Sequence, residues 1–245
     1  HSSLLLLASA GCLTQSVHAG LLGSAQSFAV LAGSTLTNTG GTDIVGNAGV
    51  WPGSAVTGFP PGIMHGTMHA ADAVAALAQA DVTTAFNTLA SMAPTADLTG
   101  IDLGTLVLTP GTYFFASSAQ LTSDLVLDAQ GNPDALFVFQ IGSTLTTASN
   151  ASVLIINAAD ACNVYWQVGS SATLGTGTAF QGNILAMASI TLNTGATMID
   201  GRALARTGAV NLDTNTITAG CIPAPGTIGM VGISVLAPLA RRKRA

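Results

Sequence analysis

The chain has 245 residues, of which 7% are charged and 49% hydrophobic, against roughly a quarter charged in an ordinary soluble domain. It contains 30 Thr and no Glu, and between residues 20 and 240 its only Lys or Arg side chains are Arg202 and Arg206. Nucleic-acid binding needs clustered cations and is excluded; intrinsic disorder needs low hydrophobicity and is excluded too.

In chain order, residues 1–13 form an apolar run, and Val17-His18-Ala19 places small residues where a signal peptidase cuts. Residues 1–19 therefore read as a signal peptide. Short strands follow, with Ser27–Leu31 the first, broken by Gly, Asn and Asp. His65 and His69, with Asp72 beyond them, have a spacing that suits one helical face. Gly66 lies between the two histidines and no further ligand is evident, so loop and helix-cap histidines are expected and no metal. From about 68 to 92 the pattern turns helical: Val74, Leu77, Ala78, Val82, Ala85, Phe86 and Leu89 are apolar, Asp72, Gln79, Thr83 and Asn87 fall elsewhere, and Pro94 closes the run.

Beyond the helix the strands resume at 106–108, 111–115, 125–127, 135–139 and 153–156. A ragged repeat then appears. Leu145, Leu174, Leu192 and Leu212 each open a Thr-rich segment at spacings of 29, 18 and 20, and Gln181-Gly-Asn-Ile-Leu-Ala186 recurs 19 residues later as Asp200-Gly-Arg-Ala-Leu-Ala205. A strand-rich, Gly-punctuated period near 20 predicts a β-solenoid, with the four leucines stacked inside; a β-sandwich would not give this spacing. With the small residue after each threonine turned inward, Thr147 and Ser149, Thr176 and Thr178, Thr194, Thr214 and Thr216 point outward. Threonine is rotamerically stiff, so the result is an uncharged grid of methyls and hydroxyls able to arrange water at lattice-like spacing.

Cys162 and Cys221 remain in the body, and a bridge worth roughly 4 kcal/mol and two unpaired thiols both suit the spacing. Enzyme readings fail. A lyase on a β-helix needs clustered Asp with Lys or Arg, whereas these Asp are scattered, Lys is absent before Lys243, and neither a Gly-Xaa-Ser-Xaa-Gly elbow nor a phosphate loop occurs. At the far end, Pro223-Ala-Pro225, an apolar stretch from Thr227 to Ala240, and Arg241-Arg-Lys-Arg244 resemble the PEP-CTERM sorting tail of Gram-negative bacteria. That resemblance implies exosortase-type processing over 223–245 and a secreted or cell-surface location.

The body, about 22–220, resembles the DUF3494-type ice-binding proteins. The residues that carry this are Leu22-Gly-Ser-Ala-Gln-Ser-Phe-Ala-Val-Leu-Ala-Gly-Ser34, Gly49-Val-Trp-Pro-Gly-Ser-Ala-Val-Thr-Gly58, Trp166-Gln-Val-Gly-Ser-Ser-Ala-Thr-Leu-Gly-Thr-Gly-Thr178 and Gly201-Arg-Ala-Leu-Ala-Arg-Thr-Gly-Ala-Val210. The resemblance implies a discontinuous right-handed parallel β-solenoid of triangular section with one long helix alongside, spanning 20–222. It implies adsorption to ice through one flat face, with thermal hysteresis and inhibition of ice recrystallisation; a monomer without cofactor is expected. The family's Thr-Ala/Gly-X-Thr/Asn motif is matched by Thr147-Ala-Ser-Asn150 and Thr194-Gly-Ala-Thr197; Ser54-Ala-Val-Thr57, Thr176-Gly-Thr-Ala179 and Thr214-Asn-Thr-Ile217 depart from it at one or more positions. Ser54, Thr57 and Thr197 thereby join the expected ice-contacting set. The rival reading is a surface adhesin or matrix solenoid binding polysaccharide or cells; it wants exposed aromatics, whereas Trp51, Trp166, Tyr113 and Tyr165 fall in strand-like, apolar surroundings.

Overall fold

The structure, a computed structural model, describes residues 20–220. The expected signal peptide (1–19), sorting tail (223–245) and Cys221 lie outside the described residues.

Short parallel strands wind around three walls. The first wall runs across nine strands in the order Met68–Ala70, Asn47–Val50, Phe28–Ala32, the second half of Thr197–Ala205, the second half of Ala179–Ala186, Val164–Val168, Phe137–Ile141, Gly111–Phe115 and Ala96–Asp97. Its central strands are buried on both sides, and they read as largely apolar runs such as Phe28-Ala-Val-Leu-Ala32 for that reason. The second wall has seven strands, ordered Ala119–Leu121, Leu145–Thr147, Ala172–Leu174, Ile190–Leu192, Val210–Asp213, Thr35–Thr39 and Ala55–Thr57. The third carries Ile63–His65, Asp43–Val45, Thr216–Thr218 and the first halves of Thr197–Ala205 and Ala179–Ala186. It is continued through a single bridge, Ser152 to Ala179, by Val153–Ile156, Leu125–Asp128 and Val107–Leu108. The two long strands turn the edge between third and first walls at Gly182 and Gly201. Gly182 has φ +97°, and a Cβ there would stand 2.8 Å from Val164.

The winding is discontinuous. Thr35–Thr39 pairs with Val210–Asp213, and Asp43–Val45 with Thr216–Thr218, so the N-terminal coils stack on the last C-terminal one. The helix α1 (Ala73–Ala90) then carries the chain from the Met68–Ala70 edge back to the opposite edge at Ala96–Asp97, a run of about 27 Å. Inside, Tyr113, Phe139, Trp166 and Phe180 form an aromatic stack with centroid separations of 5.5, 3.9 and 4.9 Å.

The expected helix is shorter than 68–92, because 68–70 is strand. Its buried stripe is Ala75, Ala78, Gln79, Val82, Ala85, Phe86 and Leu89, lying on Leu31, Val138, Tyr165, Leu185 and Leu204 of the first wall. Val74 and Leu77, expected in the core, face solvent. An Ala-rich helix offers two overlapping apolar stripes, and periodicity alone does not choose between them. Gln79, expected outside, is buried because its Nε2 donates to Ala205 O at 2.9 Å.

The 19-residue repeat holds in register over its last four residues, from Asn183 opposite Arg202 to Ala186 opposite Ala205, whereas before the bulge Gln181 stands opposite Ile199. Leu174, Leu192 and Leu212 stack as expected, but Leu145 sits opposite Ala172, two residues out of line. A two-residue slip keeps every side chain on its own side, so the apolar pattern does not fix the register.

Candidate functional site: a threonine-lined wall

The second wall alternates strictly. Leu145, Ala172, Ile190, Val210 and Leu36 point inward and are buried. The residues that follow them point outward in one row: Gln120, Thr146, Thr173, Thr191, Asn211, Thr37 and Thr57, each opposite the next. Neighbouring members are about 4.8 Å apart, and five of the seven are threonines whose χ1 is restricted by the β-branch. Sequence reasoning found only Thr57 in this row. Its signal is the triplet with Thr between two inward residues, seen in Leu36-Thr-Asn38, Leu145-Thr-Thr147, Ala172-Thr-Leu174 and Ile190-Thr-Leu192.

Small hydroxyl residues border the row on one side: the Thr144 hydroxyl donates to Ser118 at 2.9 Å, and Ser189 Oγ accepts from Ala209 N at 3.1 Å. On the other side the chain turns tightly onto the third wall. Ala151 N, Thr178 N and Ala196 N donate to Ala148 O, Gly175 O and Asn193 O at 3.4, 3.1 and 3.0 Å. The third residue of each turn is left-handed, Asn150 at φ +60°, Gly177 at +67° and Gly195 at +70°. These turns hold Ser149, Thr176 and Thr194 exposed at the edge.

The residues singled out from the sequence therefore fall in five places, four of them on the surface. Ser149, Thr176, Thr194 and Thr214 line the edge between second and third walls, and Thr57 lies in the central row. Ser54 is exposed at the opposite edge, just before Ala55–Thr57. Thr197 and Thr216, opposite one another, begin the third wall.

Thr147 and Thr178 are corrections. Both point inward and are buried, with their hydroxyls 2.7 Å apart. Thr147 is two residues after inward Leu145 and shares its side, while the left-handed Gly177 resets the alternation and turns Thr178 in. Thr147-Ala-Ser-Asn150 is accordingly not the structural counterpart of Thr194-Gly-Ala-Thr197. The left-handed residues align Asn150, Gly177 and Gly195 through Asn150 N to Thr176 O (2.8 Å) and Gly177 N to Thr194 O (3.1 Å), so the counterpart is Ser149-Asn-Ala-Ser152.

The third wall differs in chemistry. Val45, Ile63, Val107, Leu154, Ile156 and Ile199 are exposed on it, and His65 pairs with Asp43 at 2.9 Å. His69 Nδ1 lies 2.7 Å from Asp72, whose other oxygen caps α1 by accepting from Ala75 N at 2.8 Å. These bonds hold the Asp72 carboxyl below the ordinary value, the Ala75 N–H contributing most. No group of three or more His, Cys, Asp or Glu able to hold a metal occurs among the described residues. Cys162 is disulfide-bonded; Cys221, with which a bridge is one of two readings of the sequence, lies outside the described residues.

A parallel solenoid with one flat, hydroxyl-lined wall and one helix-covered wall is a scaffold for binding an extended surface. The ice-binding-like family model matches residues 30–218, and the chain belongs to that family. An ice-binding protein of Nostoc sp. strain HG1 is 60% identical over 205 residues, 84% of this chain and 76% of that one. Among solved structures, an ice-binding protein from an Antarctic biological consortium superposes with TM-score 0.78 at 50% identity, over 80% of this chain and 89% of that one. The ice-binding protein of the Antarctic ascomycete Antarctomyces psychrotrophicus gives TM-score 0.78 at 41% identity, over 81% and 97%. Membership of this family makes the chain a binding protein and not an enzyme.

Proposed function

We propose that the protein adsorbs to ice through the second wall, with Thr57, Thr37, Thr191, Thr173 and Thr146 as the central row and Ser149, Thr176 and Thr194 as its edge. Thermal hysteresis and inhibition of ice recrystallisation follow from that adsorption. The single observation that carries the reading is the unbulged register of one outward row over seven strands, five of its members threonines. A rigid repeat of methyls and hydroxyls can share a layer of ordered water with a crystal surface at little cost in side-chain entropy. Of the four aromatics that the polysaccharide reading would need exposed, Trp166, Tyr165 and Tyr113 are buried and Trp51 is partly buried. The proposal extends to export through residues 1–19 and surface delivery through 223–245, in a Gram-negative cell; no helix among the described residues is long and apolar enough to cross a membrane.

The test compares two double variants with wild type for thermal hysteresis and recrystallisation inhibition. Thr173→Tyr/Thr191→Tyr abolishes activity while leaving the melting temperature near wild type. Thr197→Tyr/Thr216→Tyr, on the third wall, retains most of it. The reverse result moves the ice contact to the third wall, and an inactive, folded wild type overturns the function.

A further inference from the structure

Both interior breaks in the hydroxyl-bearing rows fall on one strand. Val210–Asp213 is the strand on which the N-terminal coils stack, between Ile190–Leu192 and Thr35–Thr39. Its outward residues are Asn211 and Asp213, and Asp213 is the only charged side chain in the strands of the second wall. Asn211 stands between Thr191 and Thr37 in the central row, and Asp213 stands opposite Thr39.

Each of the two also takes a hydroxyl from the array. Asn211 Nδ2 donates to Thr191 Oγ1 at 3.5 Å, and the Asp213 carboxylate accepts from the Thr194 hydroxyl. Its other oxygen accepts from Thr214 Oγ1 at 3.1 Å, while Asp213 N donates to Asn215 Oδ1 at 2.6 Å. A carboxylate orders water radially around its charge, a pattern that an ice lattice cannot continue, and stripping that shell is costly. Thr194 is meanwhile tied sideways to the carboxylate and cannot donate toward the ice.

Resting on the ice reading of this wall, we infer that Asp213, seconded by Asn211, limits the protein's activity: the strand at the coil junction interrupts the ice-contacting surface. Restoring threonine there joins the N-terminal Thr37 and Thr57 to Thr191, Thr173 and Thr146 as one uninterrupted row. The wild type behaves as two shorter rows with a charged gap at their edge.

The test measures the lowest concentration that inhibits recrystallisation for wild type, Asp213→Asn, Asp213→Thr, Asn211→Thr and Asp213→Thr/Asn211→Thr, with melting temperatures. Asp213→Asn removes the charge and keeps an acceptor for Thr194, so it separates charge from packing. The inference expects that concentration to fall at least about twofold in each Asp213 variant, the desolvation cost of the carboxylate being removed, and further in the double. Folded variants whose activity is unchanged or lower overturn it. Thr173→Tyr/Thr191→Tyr in the same series keeps the two failures apart. If it stays active, the ice reading of this wall has failed. If it is inactive while the Asp213 variants show no gain, only the present inference has failed.

Discussion

Thr147 and Thr178 meet hydroxyl to hydroxyl at 2.7 Å inside the solenoid, at a level where Leu121, Leu174 and Leu192 occupy the same side of neighbouring coils. The pair is saturated: Thr147 Oγ1 accepts from Gly175 N at 2.8 Å and Thr178 Oγ1 donates to Ala148 O at 3.1 Å. These bonds fasten the edge that presents Ser149 and Thr176. Two threonines that resemble surface residues in the sequence thus support the surface from beneath.

Thr147→Val follows as a separation test. It leaves Gly175 N without its acceptor and should cost about 1–3 kcal/mol. Activity per folded molecule is expected to hold, because the side chain does not reach solvent. Thermal unfolding and recrystallisation assays on one sample check both halves. A variant that melts like wild type and has lost activity would put Thr147 on the ice side after all.

Arg202 makes a second structural prediction. The guanidinium is buried and donates to Gln26 O at 2.9 and 2.8 Å, to Asn183 Oδ1 at 2.9 Å and to Gly220 O at 2.6 Å. It therefore joins the segment before the first strand, the segment after the last strand described and a central coil. Arg202→Met strips donors from three acceptors and should cost about 3 kcal/mol or more, with Arg202→Lys recovering only part because it lacks the planar fork. Urea unfolding measures it, and a loss below about 1 kcal/mol would show that water replaces the guanidinium.

The sequence reveals this fold well where one physical pattern dominates. Runs apolar on both sides suit a covered parallel wall, and the 19-residue repeat matches the observed register from Asn183 opposite Arg202 to Ala186 opposite Ala205, while a bulge sets Gln181 opposite Ile199. Legibility fails where alternation is reset. The corner at 175–178 contains a left-handed glycine, so a period-two count from outward Thr176 sends Thr178 out when it lies in. The joining of first and last coils leaves no local trace, and the central threonine row is assembled from segments as distant as Thr37 and Thr191.

Stability should fall at both extremes of pH, for separate reasons. Asp72, Asp97 and Asp128 are held below the ordinary carboxylate value of 3.8, chiefly by the Ala75 N–H, the Thr99 side chain and the Asn157 side chain respectively. Their contribution is complete above that value and disappears as pH drops through the lower folded values. Tyr165 behaves oppositely. Burial pushes its phenol from 10.0 up to about 12, so its contribution is present below 10 and is lost as pH rises toward 12. Asp72→Asn should flatten the acid limb of a melting-temperature profile and Tyr165→Phe the alkaline limb. Unchanged limbs in both variants would assign the pH dependence to other groups.

The left-handed edge positions give the final prediction. Gly40, Gly177 and Gly195 adopt positive φ without penalty, and Asn150 tolerates it, but Thr214 holds φ +53° with a β-branched side chain, a conformation that costs about 1–2 kcal/mol. Thr214 N donates to Thr39 O at 2.9 Å, so the ladder holds the residue in that conformation although its side chain disfavours it. Thr214→Gly relieves the strain and, since glycine also widens the unfolded ensemble, should return only about 0.5–1 kcal/mol. For a domain of this size that is a rise of about 2 °C in melting temperature. Gly195→Thr makes the reverse change where a Cβ would meet nothing within 4 Å, so any loss there reports backbone strain alone. If Thr214→Gly melts lower while Gly195→Thr also loses stability, the bond from Thr214 Oγ1 to Asp213 outweighs the strain, and the edge is held by its side chains rather than tolerated despite them.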